Sequence, residues 1–287
     1  MTGDSAGSEL QRPIVDPEEV AAFLRGLPLS MDPGFTRFVL GFPRKYLTET
    51  PRAEVVKHYA LAGSLGAKPV ISSLARSDSG RAEAALWKLS VITRDRRFLF
   101  ARIAGALSSS GMDIVAAEAF ANASAVVLDT FWFRDEEGRF EDHGLRRRFQ
   151  VFLEEVVEGK ADLTARLQER LARRSTAPSV DGFEVAMEDE PAVGATRLRL
   201  SGPDRFGLLH LFTLRLSEAG ADIVLATIAT DAGRVRDEFL LTRDGRPLGA
   251  EGRAEVERAL VGLAILEPRE AGSRPAPGLT SDPSEPA

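Results

Sequence analysis

Two stretches of this chain carry matching residues in the same order, and this internal repeat restricts the fold more than any other feature. Asp95-Arg96 corresponds to Asp204-Arg205, and Gly111 with Asp113-Ile114-Val115 corresponds to Gly220 with Asp222-Ile223-Val224. Further on, Asp129 and Phe131 correspond to Asp237 and Phe239. The separation between partners is nearly constant, with one residue of slip in the hairpin before the last pair. Chance likeness between two amphipathic segments does not keep matched positions in order across a whole unit. The sequence therefore reads as two copies of one module, each needing a neighbour to cover its apolar face.

Each copy has the same local pattern. A strand is expected at 86–92 and at 196–200, followed by a tight turn at Asp-Arg. A helix follows, with Leu99, Ile103 and Leu107, or Leu208, Phe212 and Leu216, on one face. Gly111 or Gly220 ends that helix, where a left-handed residue is needed. Two hairpin strands come next, at about 114–120 with 126–133 and at about 223–230 with 235–241. A second helix carries Leu145, Phe149, Phe152, Leu153 and Val156 in the first copy, and Val256, Leu260 and Leu263 in the second. Closing strands are expected at 183–187 and 264–267. The order β-α-β-β-α-β predicts an α+β fold: two ferredoxin-like units with helices on one face of an antiparallel sheet.

The flanks divide by composition. Residues 1–16 are small and polar and are expected to be disordered. A helical segment is expected over 17–64: Asp16 can cap, Pro17 suits the first helical position, and Val20, Phe23 and Leu24 follow at helical spacing. The Gly-, Ser- and Ala-rich stretch 65–84 reads as a linker. The first repeat domain then covers 85–190, including a charged helical insertion at 160–174, and the second covers 195–268. A Pro-, Ser- and Gly-rich tail follows at 269–287.

Composition removes several function classes. The net charge is −6 with 44% hydrophobic and 28% charged residues, which suits a globular core and gives no basic face for nucleic acid. The run Arg146-Arg147-Arg148 reads as a solvated helix face. There are no cysteines, so disulfides, thiol catalysis and cysteine metal sites are absent together. No apolar run is long enough to span a bilayer, and the N-terminus has no signal-peptide core, so a cytoplasmic protein is expected. The three histidines, His58, His143 and His210, lack ligand spacing.

The turn sequence Asp204-Arg205-Phe206-Gly207-Leu208-Leu209, with Gly220-Ala221-Asp222-Ile223, resembles the signature of ACT domains, small modules that commonly bind amino acids and regulate metabolic enzymes. Asp129-Thr130-Phe131-Trp132-Phe133, followed by an acidic turn and a charged helix, is similar to the first ACT domain of bacterial protein-PII uridylyltransferases. Ala226-Thr227-Ile228-Ala229-Thr230 with Asp237-Glu238-Phe239 is similar to the second. Phe42-Pro43-Arg44-Lys45-Tyr46-Leu47 with Val56-Lys57-His58 resembles the segment preceding that pair. The resemblance covers about 40–267. It implies the sensor of those enzymes without their nucleotidyltransferase and phosphohydrolase domains, for which the sequence offers no metal-ligand set.

An amino-acid ligand brings a carboxylate, suited to backbone N–H groups at a helix N-terminus, and an ammonium, suited to a side-chain carboxylate. Asp204, Arg205, Phe206, Gly207 and Leu208 form such a turn, and Asp222 begins a strand expected to share its edge. Asp95, Arg96 and Asp113 are weaker counterparts, because Arg97-Phe98 replaces the usual Pro-Gly and a Phe there is expected to block close backbone approach. Other roles stand beside these: Asp204 and Asp95 as helix caps, Gly207 for helix–sheet packing, Asp222 and Asp113 as turn residues. Asp129 and Asp237 are expected to end a hairpin strand or pair with an Arg. No catalytic residue, metal or cofactor is assigned. The expected function is amino-acid sensing in nitrogen or amino-acid metabolism, with glutamine first and with a homodimer or a regulated enzyme as partner. The alternatives are a ligand-free interaction scaffold or a uridylyltransferase-related protein acting with a catalytic partner.

Overall fold

The computed structural model describes residues 9–25, 32–66, 68–77, 86–172 and 182–261. The closing strand expected at 264–267, the tail from 269 and residues 1–8 lie outside the described residues.

The chain begins with α1 (Pro17–Leu24), α2 (Pro33–Val39), α3 (Arg44–Glu49) and α4 (Arg52–Ala62). Asp16 and Asp32 accept hydrogen bonds from the amides of Glu18 (2.9 Å) and Gly34 (2.8 Å). Pro17 and Pro33 open their helices, where a missing N–H costs nothing. Residues 9–16 are not the loose polar arm expected from their composition. Ile14 is fully buried; its amide donates to the Phe42 carbonyl and its own carbonyl accepts from Gly41, both at 2.8 Å.

A first half follows: β1 (Val70–Arg76), β2 (Trp87–Arg94), α5 (Leu99–Ser109), β3 (Asp113–Ala121), β4 (Val126–Arg134), α6 (His143–Val157) and α7 (Leu163–Ala172). The second half contains β5 (Glu184–Glu190), β6 (Ala195–Pro203), α8 (Leu208–Glu218), β7 (Asp222–Asp231), β8 (Arg234–Thr242) and α9 (Gly249–Val261).

The strands form one eight-stranded sheet in the order β1-β2-β4-β3-β7-β8-β6-β5. Every neighbouring pair is antiparallel. From the centre outwards the order is the same on both sides, and the halves join through β3 and β7, from Ala116↔Ala229 to Phe120↔Leu225.

Two strand placements differ from the sequence expectation. Residues 184–190 do not close the first half; as β5 they pair with β6, from Glu184↔Ser201 to Glu190↔Ala195, and edge the second half. Residues 70–76, inside the stretch read as a linker, form β1 against β2. Each edge strand thus precedes its unit. Chain economy explains β5, because residues 191–194 suffice to connect it to an antiparallel neighbour. β1 was hidden by its composition: VISSLAR is only half-buried at an edge and shows weak alternation.

Helices cover both faces of the sheet, not one. On one face α5, α6, α8 and α9 pack on Leu89, Val91, Phe131, Phe133, Leu198 and Phe239. On the other, Phe35, Phe38, Phe42 and Tyr46 from α1–α4 and their connections pack on Ile92, Phe120, Leu128, Leu225 and Leu240. This explains why β4 is buried over six consecutive residues, Val126–Phe131, where a sheet with one wet face would alternate. The N-terminal helices also tie the halves together. Lys45 donates to Thr227 Oγ1 on β7 (3.1 Å) and pairs with Glu118 on β3 (3.3 Å). No helix among the described residues is long and apolar enough to cross a membrane.

Candidate functional site

The two β–α turns set the site. Asp95 and Asp204 do not cap the helices that follow. Their amides donate to Ala125 (2.9 Å) and Gly233 (2.8 Å) in the hairpin turns, and the N-cap positions fall three residues later, at Phe98 and Gly207. Both caps are left-handed, with φ of 65° and 75°, and neither helix receives a side-chain cap. Each helix therefore begins with its positive end free of a competing side chain.

Gly207 is not needed for packing, because a Cβ there meets nothing within 4 Å. The positive φ is what favours glycine. Phe98 takes the same conformation in the first half despite its side chain, and its ring stacks under the Arg97 guanidinium at 4.9 Å.

The partners of each turn lie in the opposite half. Asp204, Arg205, Phe206, Gly207 and Leu208 face Asp113 and Ile114 across the junction. Asp95, Arg96, Arg97 and Phe98 face Asp222 and Ile223. The expectation that Asp204 and Asp222 share one edge is therefore corrected: they line different clefts. The cause is the β3–β7 pairing, which sets α5 beside α8 and carries each Gly-x-Asp-Ile segment to the other half's turn. Two contacts hold this arrangement. His210 Nδ1 on α8 donates to the Ala101 carbonyl on α5 (2.7 Å), and Arg97 donates to the Ser217 carbonyl (3.1 Å). Gly105 admits the His210 ring, since a Cβ there would lie 2.6 Å from Nδ1.

Electrostatics follows the crossed pairs. Burial, then repulsion from Asp113, raises the Asp204 carboxyl, with Arg134 opposing. Burial, then repulsion from Asp95 and Asp244, raises Asp222, with Arg97 opposing. Asp113 also pairs directly with Arg134 at 3.1 Å.

The clefts differ in size. The first, beneath the Phe98 turn, has a volume of about 170 Å³, and the second, beneath the Gly207 turn, about 30 Å³. A water needs ~10–15 Å³ on this measure, so the second holds about two waters and the first a small organic molecule. Three corresponding positions carry smaller side chains in the first cleft than in the second. Ala119, Ala121 and Ala221 line the first cleft, where Ile228, Thr230 and Met112 line the second. Phe98 itself lines the first cleft.

Each cleft contains an aspartate that sequence reasoning set aside. Asp129 on β4 and Asp237 on β8 are 1% and 3% exposed. Among the described residues neither pairs with an Arg. Both Asp129 oxygens are buried without a hydrogen-bond partner, while Asp237 Oδ1 accepts from the Ala229 amide at 3.4 Å. Burial, reinforced by Asp95, pushes Asp129 well above the usual carboxylate range. Burial moves Asp237 up to about 7, against the Ala229 hydrogen bond and with added repulsion from Asp204. The available signal was an Asp at the same place in both apolar hairpin strands. Period-two counting from Val127 and Phe131 puts Asp129 on the core face.

Among the described residues, no group of three or more His, Cys, Asp or Glu side chains is placed to hold a metal ion.

No protein-family model matches the chain. Curated relatives do. A bifunctional uridylyltransferase/uridylyl-removing enzyme of Rhodopseudomonas palustris is 35% identical over 202 residues, 67% of this chain and 21% of the relative. The enzyme of the same name from Bradyrhizobium diazoefficiens is 32% identical over 179 residues, 62% of this chain and 19% of the relative. That of Caulobacter vibrioides is 29% identical over 290 residues, 96% of this chain and 29% of the relative. The chain thus spans between about a fifth and under a third of the length of these relatives, and the similarity runs through one part of those enzymes.

Proposed function

We propose that this chain is a regulatory amino-acid-binding unit of two ACT modules, with glutamine the first ligand to test, and that it is not itself catalytic. The observation that carries the reading is the crosswise sharing of the clefts. Each joins a side-chain-free helix N-terminus from one half to an Asp-Ile strand start from the other. A ligand in such a cleft contacts both halves, so occupancy biases how they sit together, which is what a sensor requires. The similarity to part of the uridylyltransferase/uridylyl-removing enzymes supports a place in nitrogen metabolism, with ligand occupancy passed to a nucleotidyl-transferring catalytic unit. The first cleft, with its greater volume, is the principal site, and the second half serves chiefly to complete it.

The test is calorimetric titration of the purified protein with glutamine, then with the other standard amino acids. Saturable binding of one of them supports the sensor. Absence of binding across the set replaces it with a ligand-free scaffold that acts through its surfaces.

A further inference from the structure

We infer that Asp129 receives the ammonium group of the ligand in the first cleft, and that binding there exchanges a carboxyl proton for the ligand's cation. This deepens the sensor reading and rests on it.

Asp129 sits in the register of a central strand, opposite Val91 on β2 and Ala119 on β3. Val127 and Phe131 share its face of the strand, and Leu99 and Phe100 at the start of α5 also line the cleft. The side chain is 1% exposed, and neither oxygen has a partner. A carboxylate has room for about four hydrogen bonds, and leaving all of them unmade in an apolar setting is costly. A structural carboxyl would have been given a donor, as Asp237 has been by Ala229.

The charged groups that line this cleft come from two elements. The β2–α5 turn contributes Asp95, Arg96 and Arg97, and the start of β7 contributes Asp222. Arg97 is already engaged with the Ser217 carbonyl and the Phe98 ring. Asp95 and Asp222 are balanced in charge by Arg96 and Arg97, which leaves Asp129 as the one further acidic group on the lining. The opposing pole is the N-terminus of α5, an 11-residue helix without a side-chain cap. Backbone donors on one wall and a lone buried carboxyl on another complement the carboxylate and ammonium of an α-amino acid. An ammonium brings three donors, which supplies what Asp129 lacks.

The exchange balances. In the free protein burial favours the protonated, neutral form of this carboxyl. The ligand arrives as an ammonium, the proton leaves to solvent, and a carboxylate–ammonium pair remains, so the cleft floor keeps a net charge of zero. Asp237, in a cleft of about 30 Å³, has no room for the same event and serves as the control.

The experiment titrates glutamine, then each other standard amino acid, calorimetrically at pH 7 in two buffers of different ionisation enthalpy. The N-acetyl derivative of the tightest ligand follows. The wild-type protein is expected to release about one proton per ligand bound. It should bind the N-acetyl derivative at least ~10-fold more weakly. Asp129→Asn, which keeps the shape, should lose the proton release and weaken binding about 10- to 100-fold, whereas Asp237→Asn should do neither. Thermal melting of Asp129→Asn, expected to be no lower than wild type at pH 8, separates a binding defect from a folding one. Wild-type binding without proton release, matched by Asp129→Asn, overturns this inference and leaves the sensor standing. Failure of the wild type to bind any amino acid overturns both.

Discussion

The two halves share an element order, a left-handed cap before the first helix and a buried aspartate on the central hairpin strand, yet their clefts differ: about 170 Å³ in the first and about 30 Å³ in the second. The half with the familiar Gly207 turn has the smaller cleft. The half with the altered Arg97-Phe98 turn has the larger one. Cap identity therefore does not govern cleft volume here. The volume difference follows the cleft walls, where Ala119, Ala121 and Ala221 of the first correspond to Ile228, Thr230 and Met112 of the second. Because each cleft borrows part of its lining from the other half, Ala221 opens the first cleft and Met112 fills the second. A turn motif read within one repeat misses this, since part of each lining lies in the other.

The comparison can be broken by exchanging the walls. The largest effect is expected from Ile228→Ala, which removes a side chain that is 4% exposed. It should lower stability by about 2–4 kcal/mol in urea unfolding while opening the second cleft. A loss well below 1 kcal/mol would mean that Ile228 does not fill that space.

Next in size is the pH dependence. Both buried aspartates have folded pKa values raised above the ordinary carboxylate value of ~3.9. Between that value and the folded pKa the native state holds a proton that the unfolded chain has released. Their contribution to stability is therefore fully present below pH ~4 and is lost as pH rises towards the folded pKa. For Asp237 the loss should level off near about 7; for Asp129 it runs in the same direction. Unfolding measured across this range should show Asp237→Asn and Asp129→Asn more stable than wild type at pH 8 and converging with it near pH 4. Parallel curves at all pH values would show that neither group holds its proton in the fold.

A smaller effect is expected from Ala119→Ile, which gives the first cleft the wall of the second. Ligand affinity should fall at least ~10-fold with melting temperature little changed, because the added methyl groups enter existing space. Retained affinity would move the site away from this wall. The smallest effect belongs to Gly207→Ala. With nothing within 4 Å of the new Cβ, only the φ of 75° opposes it, and a loss of about 1 kcal/mol is expected in thermal melting.

Much of the fold was legible in the sequence. The matched Asp-Arg, Gly-x-Asp-Ile and Asp-x-Phe positions located both turns, the helices α5 and α8 and the hairpins, since turn residues and helical spacing act locally. The edge strands were misplaced because pairing is a choice among partners distant in sequence; residues 184–190 fit a closing strand of the first half as well as an opening strand of the second. The second helical layer was less legible: apolar residues at Val126, Val127 and Leu128 fall on both faces of β4, but Asp129 and Thr130 interrupt the run that cover on both faces would produce. The turns that line the two clefts were also legible, but their crosswise partnership was not, because it arises from the β3–β7 pairing. Asp129 was passed over because a lone Asp in a strand looks like a turn or an ion-pair member. Its place on the core face follows from period-two counting, but its burial without a partner is visible only in the structure.

The central claim is that each cleft is built from both halves, and backbone amide shifts recorded during an amino-acid titration test it most directly. The account predicts that the amides of Arg97, Phe98 and Leu99 move together with those of Asp222 and Ile223, at one ligand concentration, before any change at 205–208 or 113–114. Shifts confined to 205–208 and 222–223, with the Phe98 turn silent, would place the site within the second half alone and contradict the account.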